Sequence, residues 1–72
     1  MATVPIVYTL ETCAACDALR KAWGERGIEY EERCVEDSQE WLDEARQYDN
    51  VVPIIIYADG QVESGAFEGV YG

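Results

Sequence analysis

At 72 residues, 49% of them apolar, the chain reads as one domain (1–72), near the small end of what folds alone but able to bury a core. Five basic residues against fifteen acidic ones give a net charge of −10, which repels nucleic acid and anionic membranes and attracts a basic protein partner. Histidine is absent, so Ser–His and Cys–His nucleophile pairs and a Cys2His2 zinc site are excluded.

Val4 to Thr9 is rich in β-branched and aromatic residues and reads as a first strand. Thr12 is the expected N-cap of a helix running from Cys13 to about Glu25, with Gly27 at its C′ position. Cys16, Leu19 and Trp23 recur at three- and four-residue steps, which places Cys16 on the buried side and turns Cys13 toward the exposed end. Cys13-Ala14-Ala15-Cys16 therefore sets two thiols at a helix start, where unpaired N–H groups and the positive end of the macrodipole favour thiolate. Only the thiolate attacks disulfides. Glu11 and Asp17 flank the motif and oppose ionisation, so a Cys13 pKa moderately below that of a free thiol is expected.

Ile28 to Val35 reads as a second strand whose charges, Glu29, Glu31, Glu32 and Arg33, suit a solvated sheet edge. Asp37 or Ser38 caps a second helix, Glu40 standing where a capping box from Asp37 would place it, and Trp41, Leu42, Ala45 and Tyr48 form its apolar stripe. The run Val51 to Tyr57 predicts a strand buried on both faces, with Pro53 as its first residue because proline cannot donate to a central ladder. Asp59-Gly60 signals a two-residue hairpin into Gln61–Ser64, and the glycine-rich tail from Gly65 is a poor helix. The order is β-α-β-α-β-β, the first crossover parallel and the last pair antiparallel.

Three cysteines are an odd number, which argues against a disulfide-stapled secreted scaffold. A bond closing only Cys13 to Cys16 is worth about 2 kcal/mol as a staple, against ~3 for a 15-residue loop, so the pair is better suited to redox exchange than to bracing. Zinc needs about four ligands, so metal or iron–sulfur binding by one chain is disfavoured and ligation across a dimer stays open. Cys34 reads as a buried strand residue, Trp23 and Trp41 as core, and Arg20 as solvation for the first helix, too far along the axis to pair with Cys13. No apolar run approaches the ~20 residues of a membrane span, and no basic-then-apolar leader is present, so a cytoplasmic setting is expected.

Strand, Thr12-Cys13-x-x-Cys16, helix, Val35-Glu36, second helix, Val52-Pro53, the Asp59-Gly60 hairpin and Ser64-Gly65 together resemble glutaredoxin over nearly the whole chain. Within that family the chain is most similar to the small NrdH-type redoxins, which supply electrons to ribonucleotide reductase. The resemblance implies an α/β, thioredoxin-like fold with a four-stranded mixed sheet. It implies Cys13 as attacking thiolate, Cys16 as resolving thiol and a cis peptide at Val52–Pro53. Thr12, Val52, Pro53 and Gly65 are then the expected substrate-binding residues, and a disulfide-bearing protein and a reductase the expected partners. No bound cofactor or metal is implied, since the dithiol is itself the redox group. The chain departs from the glutathione-dependent pattern at Ala14-Ala15 (not Pro-Tyr), at Leu10 and Glu11 (no basic residue) and at Gly65-Ala66 (no double glycine). These departures favour a thioredoxin-reductase-like electron source over glutathione. The family's last helix is short or missing, which predicts an exposed apolar patch at Phe67, Val70 and Tyr71.

Overall fold

A computed structural model describes residues 4–71, the side chain of Tyr71 excepted. The elements are β1 (Ile6–Thr9), α1 (Ala14–Arg26), β2 (Glu31–Cys34), α2 (Gln39–Arg46), β3 (Ile54–Ile56), β4 (Val62–Ser64), β5 (Ala66–Phe67) and β6 (Val70–Tyr71). The first four strands form a mixed sheet in the order β2-β1-β3-β4, with β1 parallel to β2 and antiparallel to β3, and β3 antiparallel to β4. This is the α/β, thioredoxin-like architecture, and charged β2 lies at an edge as expected.

Strand alternation divides the core into two. Val7 and Ile55 pair across β1 and β3 and join Cys16, Leu19 and Trp23 of α1. Tyr8 and Ile54, one residue along, face the other way and meet Val35 and Ala45, with Trp41 and Leu42 of α2 half-buried around them. Each fully buried aliphatic here, Leu19, Ile54, Ile55 or Val7, contributes about 1.5–3 kcal/mol of transfer free energy. The sheet is thus covered on both faces, and its two central strands read as apolar runs for that reason.

Several local expectations are corrected. Cys13, not Thr12, is the N-cap of α1, and the Cys13 sulfur takes the N–H of Cys16 that a hydroxyl would otherwise accept. Ser38 caps α2 by accepting from the Trp41 N–H, so Asp37 and Glu40 form no capping box. That helix ends at Arg46, leaving Tyr48 half exposed, its ring 6.3 Å from that of Tyr8. The third strand holds only Ile54–Ile56, because Pro53 lacks a ladder N–H and its carbonyl bonds the N–H of Gly65. The connection after β3 is a three-residue loop: the Gly60 N–H bonds the Tyr57 carbonyl, the Tyr57 N–H bonds the Gln61 carbonyl, and Gly60 sits at φ 93°. A type I turn followed by a left-handed glycine has this pattern, so Asp59-Gly60 supplies the bend one residue later than a two-residue turn requires. Gly27 closes α1 at φ 67° as expected, with Ile28 N–H bonded to the Trp23 carbonyl.

The tail is a hairpin rather than a helix. Its β5 and β6 pair antiparallel and pack on α1. Phe67 is buried edge-on against Trp23, ring centroids 6.0 Å apart, so it is no part of an exposed patch. Val70 is exposed, and the Tyr71 side chain lies outside the described residues.

Candidate active site

The end of β1, the loop Leu10–Thr12 and the start of α1 bring Cys13 and Cys16 together as a disulfide, their Cα atoms 5.1 Å apart. The Cys16 backbone N–H donates to the Cys13 sulfur at 3.1 Å, and the Asp17 N–H to the Cys13 carbonyl at 3.0 Å. A sulfur on the N-cap sees the unpaired donors and positive pole of α1, the environment that lowers a thiol pKa. In the disulfide state Cys13 is 4% exposed and Cys16 fully buried. The expectation of an outward Cys13 therefore fails for this state: bonding to Cys16 and capping the helix both draw the sulfur inward.

Val52 and Leu10 pack against the cluster that holds both cysteines. The Val52–Pro53 peptide is cis, and the Gly65 N–H bonds the Pro53 carbonyl at 3.0 Å. At Gly65, φ is 86°, and an added Cβ would stand 3.2 Å from the Val51 Cγ2. Residues 51–53 and 65 therefore form one continuous rim. Thr12 is exposed in the turn before Cys13. Beside the rim opens an apolar groove of about 320 Å³, lined among others by Leu10, Leu42, Ala45, Val51 and Val52. Among the described residues, no group of three or more Cys, Asp or Glu side chains is gathered as a metal site. No helix among them is long and apolar enough to cross a membrane.

One cluster was not anticipated from the sequence. The Arg20 guanidinium donates to Glu32 Oε2 at 2.8 Å, to Asp17 Oδ1 at 2.6 Å, to Thr9 Oγ1 at 3.3 Å and to the Leu10 carbonyl at 3.4 Å. Thr9, fully buried, donates its hydroxyl to the same Glu32 oxygen. Arg20 holds the Glu32 carboxyl below its ordinary range, burial working against it and Thr9 with it. Arg20 is therefore more than solvation, and Glu32 is not part of a merely solvated face. The sequence does carry a signal. Arg20 follows Cys16 by four residues, at the flank of the buried stripe; the register of Glu32 with inward-facing Val7 comes only from the assembled sheet. Cys34 is half-buried and unpaired with the other cysteines.

A mixed sheet covered by a helix on each face, with a dithiol at the N-cap of the first helix, defines a thioredoxin-like redox protein. The glutaredoxin family model matches residues 6–62, and the chain belongs to that family. Thiol–disulfide oxidoreductase chemistry is the activity class that membership carries. Comparisons with curated proteins and with solved structures returned no match.

Proposed function

We propose that the chain is a dithiol protein-disulfide reductase, recharged by a thioredoxin-reductase-like flavoprotein in the cytoplasm, with ribonucleotide reductase as a candidate acceptor. The observation that carries this reading is the Cys13 sulfur on the N-cap of α1, accepting the Cys16 N–H and paired with Cys16. In the reduced protein the Cys13 thiolate attacks one sulfur of a substrate disulfide. A Cys13–substrate mixed disulfide forms and one substrate thiolate leaves. The Cys16 thiolate then attacks the Cys13 sulfur, closing the Cys13–Cys16 disulfide and releasing the second substrate thiolate. Two electrons and two protons have passed to substrate, and the flavoprotein returns them.

Val52, Pro53 and Gly65 of the rim, with Thr12 in the turn before Cys13, receive the substrate chain around its cysteine. Leu10 and Glu11 supply no cation for a glutathione carboxylate, and the exposed carboxylate of Glu11 repels one. Both features support a protein substrate and a flavoprotein reductase. A coupled assay tests the reading. NADPH is consumed with thioredoxin reductase and a protein disulfide, and not with glutathione and glutathione reductase; the opposite pattern overturns the electron source. Colour or bound metal in freshly purified protein would instead point to a cluster carrier. Cys16→Ser is expected to arrest the cycle at the mixed disulfide, visible by mass spectrometry. Full turnover by that variant would show that one thiol suffices.

A further inference from the structure

We propose that Arg20 is a positioning residue for Cys13: it cancels the Asp17 carboxylate and holds the Leu10 carbonyl at the root of the loop that carries the thiol. The inference rests on Cys13 being the nucleophile. It concerns the ionisation of that sulfur, whatever protein or reductase it exchanges with.

Arg20 lies seven residues after Cys13, about two helical turns or ~10 Å along the axis, so it acts through intermediaries. Asp17 is one such intermediary. It is the fourth residue after Cys13, on the same side of the first turns, and its backbone N–H bonds the Cys13 carbonyl. A negative side chain there raises the cost of a thiolate at the N-cap. The Arg20 Nη1 binds this carboxylate at 2.6 Å, so its negative charge is compensated beside the first turn. The second intermediary is the chain itself. The Nη2 group reaches the Leu10 carbonyl and the Thr9 hydroxyl, where β1 ends and the loop to Cys13 begins. Glu32 of β2 completes the cluster, so one planar fork ties together α1, the end of β1 and the edge strand. A lysine ammonium would keep the positive charge beside Asp17 but not this planar, multidentate grip on the Leu10 loop.

The other charges around Cys13 do not do this. Glu11 in the loop has its backbone N–H held by Glu36, which adds a second carboxylate on that side. Arg46 and Asp49 line the apolar groove, of which Cys13 is not a lining residue, and Arg26 is bound to Glu68. Val7, Ile55, Val52 and Phe67, the neighbours from β1, β3, the rim and β5, carry no charge. Within the α1–β1–β2 cluster, Arg20 is the cation that faces the acidic neighbours of the sulfur.

The test is an ultraviolet titration of the Cys13 thiolate in a Cys16→Ser, Cys34→Ser background, with near-ultraviolet circular dichroism to check folding. Arg20→Met is expected to raise the titration by roughly half to one pH unit, while Arg20→Lys, which keeps the charge, recovers most of that change. Adding Asp17→Asn to Arg20→Met brings the value back toward the parent. A merely structural role would lower the melting temperature without this reversal, and a folded Arg20→Met variant titrating as the parent overturns the proposal. Asp17→Asn alone leaves the fold intact, since the side chain is 68% exposed, and covers the case in which Arg20→Met does not fold. With Arg20 in place, that variant should shift the titration by less than about 0.3 pH unit; a drop of a full unit would show that Arg20 does not shield Asp17. Failure of the reductase assays leaves these titrations readable, so the two conclusions stand or fall separately.

Discussion

Glu32 is a half-buried residue through which acid acts on this fold. Its carboxyl is held low by Arg20, so it contributes stability that is complete above the unfolded carboxylate value and lost as pH falls through the lowered folded value. Urea unfolding between about pH 5 and pH 3 should therefore weaken the parent more steeply than Glu32→Gln, which starts less stable and loses less. Equal slopes would mean that other carboxylates dominate. Gly65 is the second informative position. Gly65→Ala must place a side chain at positive φ and press on Val51, costing about 1–2 kcal/mol of stability. Because Val51 and Val52 form the rim, KM for a protein disulfide should also rise, roughly threefold, with kcat little changed. Gly65 enters only through the family resemblance, whereas Cys13 and Cys16 can be singled out in the one-dimensional chain by their spacing and Pro53 by its residue type. Arg20 cannot be assigned that way, since its partners Thr9 and Glu32 are eleven and twelve residues away.

At the scale of elements, the hairpin β5–β6 does for α1 what a terminal helix would have done. Phe67 closes over Trp23, whose ring also meets Tyr30 edge-on at 5.2 Å. The turn between the strands places Glu68 at φ 48° and Gly69 at φ 84°, and Arg26 at the end of α1 binds the Glu68 carboxylate. Two consecutive left-handed residues make the tight reversal that a two-residue hairpin needs. Phe67→Ala should remove about 2–4 kcal/mol and, in a domain of this size, lower the melting temperature by roughly 10 °C or more. A change of only a degree or two would mean that the hairpin is dispensable for the core. Glycine content alone argues against a helix here, and it is silent on whether the segment folds back. Phe67 meets Trp23 only after β4 has returned the chain to the α1 side.

For the whole molecule, the net charge of −10 on 72 residues is the dominant long-range feature. Self-repulsion opposes compaction, whereas the ion pairs that salt would weaken are mostly half exposed and individually worth about 0–1 kcal/mol. Raising ionic strength from about 0.01 to 0.2 M shortens the screening length from ~30 Å to under ~10 Å, so the melting temperature should increase. A decrease would show that the Arg20 cluster and the pairs of Arg33 with Glu31 and Glu44 outweigh the repulsion. The acidic surface also implies that complexes with a basic partner weaken over the same range.

The linear chain by itself determined the order of the elements through β4, the buried central strands, the charged edge, the helix that carries the thiols and the glycine that ends it. These follow from periodicity, β-branching and capping chemistry, all of which act over a few residues. Tertiary structure decided which atom caps α1, how far Cys13 is enclosed, where Phe67 packs and what Arg20 holds. Each of those depends on groups distant in sequence competing for the same donors, the same space or the same charge, and only the assembled fold sets which of them meet.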